Sequence, residues 1–155
     1  KDNLILWLHQ HQQFIMIKTA HHFLPFLLIF TLVLFVVKSF LVAYAGKDVC
    51  LKKCKLQSAT LILAHIQLVL GIILFCDFAF SNPAWVDIMG NAASRYTYVE
   101  HPFAMLLAVI FISVGKVKAK NIGDGIQSAK TTFIYFTIAL ALILLRTPFD
   151  KLLVI

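Results

Sequence analysis

Four long apolar stretches, separated by short charged segments, constrain this chain more than any other feature. A chain of 155 residues with 61% hydrophobic and only 14% charged residues has too little polar surface to cover a soluble core. It reads as an integral membrane protein. The runs are continuously apolar and lack the alternation of a lipid-facing strand, so a β-barrel is excluded.

The apolar runs place helices at about 22–45, 59–78, 98–115 and 131–147. Short connections between them make neighbours antiparallel, and the expected fold is all-α, an up-down-up-down antiparallel four-helix membrane bundle. Glu100 to Lys116 and Lys130 to Arg146 are shorter between charges than the ~20 residues a bilayer core demands. Lysine and arginine snorkel, however, and helix ends thin the bilayer locally. Residues 1–15 are polar and glutamine-rich compared with the chain after Met16, and are expected to be a leader or a disordered extension to a domain spanning 16–155.

Topology comes from the basic residues. Lys47, Lys52, Lys53 and Lys55 come after the first span, and Lys116, Lys118, Lys120 and Lys130 after the third. The loops at 46–58 and 116–130 are therefore expected to face the cytoplasm, with both termini outside a bacterial inner membrane. The segment from Asp77 to Glu100 carries one arginine, Arg95, against Asp77, Asp87 and Glu100. Trp85, Tyr96 and Tyr98 suit the outer interface, and the two Gly-Lys steps, Gly46-Lys47 and Gly115-Lys116, read as helix stops on the inner face. The net charge of +7 is explained by topology and anionic lipid, so nucleic acid is not expected as a partner.

Ionisable groups inside a bilayer are costly and mark functional sites by default. His21 and His22 open the first span and His101 opens the third, all near the outer face, so two imidazoles can approach one iron from opposite sides. His22 and His101 are the expected ligands of a b-type haem in an apolar slot lined by Phe26, Phe103 and Met105. His21 is the alternative to His22, because adjacent helical residues point about 100° apart and only one faces the bundle. Arg146, at the outer end of the fourth span, has two candidate partners, Glu100 and a haem propionate. Pro102 biases His101 away from helix, so the third helix either starts there or is kinked beside His101.

Deeper in the bundle, Lys38, His65 and Gln67 form a second polar set. It is expected either to bind a quinone carbonyl, a proton or a headgroup, or to be structural, with Lys38 snorkelling and His65 bonding a carbonyl. Cys50 and Cys54 in the lysine-rich loop are a weak metal signal, and Cys76 has no cysteine in its own loop. No G-x-S-x-G, H-E-x-x-H or P-loop is present, so hydrolase chemistry has no support.

His22, the run Ala64-His65-Ile66-Gln67-Leu68-Val69-Leu70-Gly71, and Tyr98-Val99-Glu100-His101 with Met105 resemble a family of small four-helix membrane proteins from Bacteroidetes loosely labelled cytochrome b. The likeness covers roughly residues 20 to 150 and implies the same bundle and haem b. Its matching positions are His22, His65 and His101, and Pro102 departs from the aliphatic residue expected there. Helix count and histidines also give a weaker likeness to cytochrome b561-type bundles.

The resulting expectation is an electron carrier exchanging electrons with a quinol or a larger respiratory complex. The alternatives are a non-catalytic membrane subunit without cofactor, as part of a larger complex or a homo-oligomer, and a small transporter using Lys38 and His65.

Overall fold

The computed structural model describes residues 2–46, 55–81 and 85–148. They form an all-α chain: α1 Asp2–Tyr44, α2 Lys55–Ser81, α3 Trp85–Gly90, α4 Ala92–Arg95, a π-helical turn Tyr96–Glu100, α5 His101–Asn121 and α6 Gly125–Arg146. α4, the π turn and α5 run on as one helix, Ala92–Asn121, giving four helices long and apolar enough to cross a bilayer. α1 packs on α2 and α6, α5 packs on α6 and α2, and sequential neighbours are antiparallel.

Each of the four long helices extends past its apolar run at one end or both. α1 begins at Asp2 and takes in most of the polar stretch 1–15. α4 starts at Ala92 because Asn91 caps it, its side-chain oxygen accepting from the Ala93 and Ser94 amides at 3.0 and 3.1 Å. α6 starts at Gly125 because the Asp124 carboxylate accepts from the Ile126 amide at 2.9 Å, so Lys130 lies a turn inside the helix. Gly46, past the end of α1, has the left-handed φ of 64° that a helix stop uses. Gly115 does not act as a stop. α5 runs through it to Asn121, and its missing side chain serves packing instead.

The core is a stripe of α1 (Leu28, Leu32, Phe35) meeting α5 (Ala108, Ile112) and α6 (Ala129, Phe136, Ala139). Phe35 and Phe136 are fully buried, with ring centroids 5.0 Å apart. α5 and α6 approach closely because small residues line their contact. A Cβ on Gly115 would lie 2.5 Å from the Tyr135 Cβ. Of the buried hydroxyls, Ser39 and Thr132 donate to carbonyls four residues back and Ser128 donates across to the Ala119 carbonyl at 2.8 Å, while Thr137 Oγ1 has no partner among the described residues.

Candidate functional site

Two prolines shape the backbone beside the histidines. Pro25, buried within α1, has no N–H to give to the carbonyl four residues back, which is that of His21. That freed carbonyl is taken up from a neighbouring helix, since Gln67 Nε2 on α2 donates to it at 2.9 Å. Pro102 likewise cannot serve the Tyr98 carbonyl, and the helix widens by one residue just before it, with the His101 amide bonding back five residues to Tyr96. Pro102 therefore neither starts the helix nor ends it, and the π turn absorbs it.

His21 continues the buried stripe of α1 that runs through Pro25, Leu28, Leu32 and Phe35 at helical spacing. Its imidazole reaches α2, with Nδ1 3.0 Å from Gln67 Nε2, and packs over Gly71, where an added Cβ would meet the ring carbon Cε1 at 3.2 Å. Gln67 and Gly71, four residues apart on one face of α2, make the cradle for this ring. His22 is half-buried and points off the stripe by about 100°.

His101 is half-buried at the start of α5, and its Nδ1 lies 2.6 Å from the Arg146 carbonyl at the end of α6. A carbonyl only accepts, so Nδ1 carries the proton and Nε2 keeps its lone pair. His21 lies within electrostatic range of both His101 and His22. One polar end of the bundle thus draws a residue from each long helix: His21, Gln67, His101 and Arg146.

The Arg146 guanidinium pairs with Glu100 at 2.8 Å, and Arg95 holds the other carboxylate oxygen at 3.3 Å. Tyr96 donates to the Leu145 carbonyl at 3.2 Å, with Arg146 over its ring. These contacts tie the π turn to the end of α6.

The expected apolar slot is not formed. Phe103 and Phe26 are 62% and 44% exposed on the outside of the bundle, and Met105 packs against the core. The second polar set is also not assembled as a unit. His65 is exposed on α2, its Nδ1–H donating to the Leu61 carbonyl at 2.8 Å, while Gln67, two residues on and well around the helix, faces His21. Lys38 is half-buried on α1. Cys50 and Cys54 lie outside the described residues, and Cys76 is a free, exposed thiol.

No family model, curated protein or solved structure matches this chain. The family likeness carried by the histidine motifs receives no support from these comparisons, and the site stands on its own geometry. Among the described residues no group of three or more histidine, cysteine, aspartate or glutamate side chains converges as a metal site. Two imidazoles alone make an incomplete ligand set, which a porphyrin with its four nitrogens would complete.

The residues at the histidine end fit such a group in three respects. The donor set is a pair of imidazoles on α1 and α5 at one end of the bundle, the Gly71 cradle holds one ring, and Gln67 Oε1 is buried without a hydrogen-bond partner among the described residues. Gln67 and Gly71 had a visible signal, since they lie four apart in one apolar run. The freed His21 carbonyl was equally legible from Pro25.

Proposed function

We propose that this protein is a membrane electron carrier holding one haem b at its histidine end, with His21 and His101 as the iron ligands. The observation that carries this reading is that two imidazoles at one end of the bundle are each held from a neighbouring helix. Each has its Nδ1 engaged by a partner on another helix, Gln67 for His21 and the Arg146 carbonyl for His101. His101 is oriented as ligating histidines commonly are, donating its other ring N–H to a carbonyl, whereas His21 Nδ1 accepts from the amide, so His21 would ligate only after its proton changes nitrogen. Bound there, the haem would supply reversible one-electron chemistry, with a quinol or a larger respiratory complex as the exchange partner.

The residues of the chain divide the remaining work. The α5 and α6 ends fix His101 through the Arg146 carbonyl, and the Arg95–Glu100–Arg146 triad holds those ends together. The half-buried setting of the two rings and their hydrogen bonds would tune the potential. The positive-inside rule orients the bundle with the histidine end outside and Lys116, Lys118, Lys120 and Lys130 toward the cytoplasm of a bacterial inner membrane.

A second reading, a cofactor-free subunit of a larger membrane complex, is favoured by α2. Among the described residues that helix buries only Gln57, Thr60 and Ala64, and it carries His65 on its open face.

The deciding experiment is a reduced-minus-oxidised visible spectrum of protein purified in detergent from haem-supplied cells, with haem counted against protein. A sharp α-band at one haem per chain, lost in His21→Ala and His101→Ala and kept in His22→Ala, is the expected result. A featureless spectrum sinks the carrier reading in favour of the subunit. Loss in His22→Ala but not in His21→Ala overturns the ligand assignment.

A further inference from the structure

We propose that Gln67 is a positioning residue that selects the tautomer of His21, and that Pro25 sets the direction in which it does so. The consequence for iron ligation rests on the haem-carrier reading; the tautomer itself does not.

The His21 carbonyl, left without its helical donor by Pro25, accepts from Gln67 Nε2 at 2.9 Å. A carbonyl accepts only, so this contact fixes which end of the Gln67 amide is the NH2. The same NH2 lies 3.0 Å from His21 Nδ1. One amide proton goes to the carbonyl and the other to Nδ1, which must therefore be the unprotonated nitrogen. His21 is held neutral with its proton on Nε2. Gln67 Oε1, at the far side of the amide, is left buried and without a partner among the described residues. A buried acceptor in this state is unfavourable, so the arrangement keeps one unmet hydrogen-bond demand.

Nε2–H makes His21 a hydrogen-bond donor at its free nitrogen, whereas His101, with Nδ1–H fixed on the Arg146 carbonyl, presents an Nε2 lone pair. To ligate through Nε2, His21 must carry its proton on Nδ1 instead. The ring stays neutral, since the proton leaves one nitrogen and returns on the other. That form needs an acceptor at Nδ1, and a half-turn of the Gln67 amide supplies it by bringing Oε1 there. The turn satisfies Oε1 and strands the His21 carbonyl. Gln67 therefore holds His21 in the donor tautomer in the free protein and accommodates the ligating tautomer when that is drawn on.

The test is nitrogen-15 NMR of histidine-labelled, haem-free protein in detergent, which reads tautomers directly, with the His21 signals assigned by their loss in His21→Gln. The wild type is expected to show His21 protonated at Nε2. Gln67→Leu removes the anchor and is expected to give a mixture of tautomers. Pro25→Ala restores a helical donor to the His21 carbonyl, frees the amide to turn, and is expected to move His21 toward Nδ1–H. Gly71→Ala crowds the ring but leaves Gln67 in place, so the tautomer is expected to stay as in the wild type.

A wild-type His21 protonated at Nδ1, or a population unchanged in both Gln67→Leu and Pro25→Ala, overturns the proposal. In haem-loaded protein, Gln67→Leu is expected to shift the midpoint potential while keeping one haem per chain, and an unchanged potential would overturn the consequence for ligation. A wild type that takes up no haem refutes the carrier reading and that consequence with it, but leaves the NMR result to decide the tautomer.

Discussion

Two glycines in long helices, Gly115 and Gly71, show how differently the two ends of the bundle are built. At Gly115 an added Cβ would lie 2.5 Å from the Cβ of Tyr135, an atom tied directly to the α6 backbone. At Gly71 it would meet only the tip of the His21 ring, at 3.2 Å. The first glycine lets two helices touch, and nothing there yields without moving a helix. The second makes room for one side chain, which can move by a few tenths of an ångström. Tight apolar packing fixes the frame at α5 and α6, while at the histidine end hydrogen bonds and one movable ring join α1 to α2.

The sharpest way to break this contrast is substitution at both glycines. Gly115→Ala is expected to destabilise the bundle by about 1–3 kcal/mol, the usual range for overpacking. Gly115→Leu is expected to prevent α5 and α6 from pairing, seen as loss of the monodisperse peak on size exclusion. If Gly115→Ala melts within a degree or two of the wild type in detergent, α5 and α6 are not in the contact described. His101→Ala comes next. It strips the exposed Arg146 carbonyl of its donor and is expected to cost about 0.5–1.5 kcal/mol, the net worth of one hydrogen bond. Faster hydrogen exchange confined to the end of α6 would report the loss. Gly71→Ala is expected to cost less than Gly115→Ala, about 1 kcal/mol or below, because the His21 ring can shift.

Much of this architecture was legible in the sequence, for identifiable reasons. Apolar length in all four runs, and the charges between them, report helix number and pairing directly. Helix ends were not read from those charges, because lysines such as Lys116, Lys118 and Lys130 lie on helices rather than ending them. The caps Asn91 and Asp124 were the better signal. Gly115 looked like a stop because glycine before lysine often is one; only the approach of Tyr135 tells a packing glycine from a terminating one. Of the polar residues, the helix positions of His21 and His101 came from their places in the runs. Gln67 could be placed on α2 but not matched to His21, since that pairing depends on how α1 and α2 are offset. The π turn was hidden for a related reason: Pro102 announces an irregularity without saying whether the helix starts, kinks or widens there.

The smallest expected effect lies in the triad of Arg95, Glu100 and Arg146, and it tests whether charge or hydrogen-bond geometry holds the histidine end. Glu100 and Arg146 side chains are 34% and 46% exposed, so headgroups and water screen their attraction, and such pairs contribute about 0.2–1 kcal/mol. Glu100→Gln removes the charge while leaving an amide oxygen able to accept from one arginine. It is expected to lower stability by less than about 1 kcal/mol and to leave the His101 to Arg146 carbonyl bond in place. The reason is that Tyr96 anchors the same group of contacts independently, through the Leu145 carbonyl. Histidine NMR of Glu100→Gln is therefore expected to show His101 still protonated at Nδ1. A change of His101 tautomer in that variant would mean that the ion pairs, and not the carbonyl at the end of α6, set the orientation of this ring.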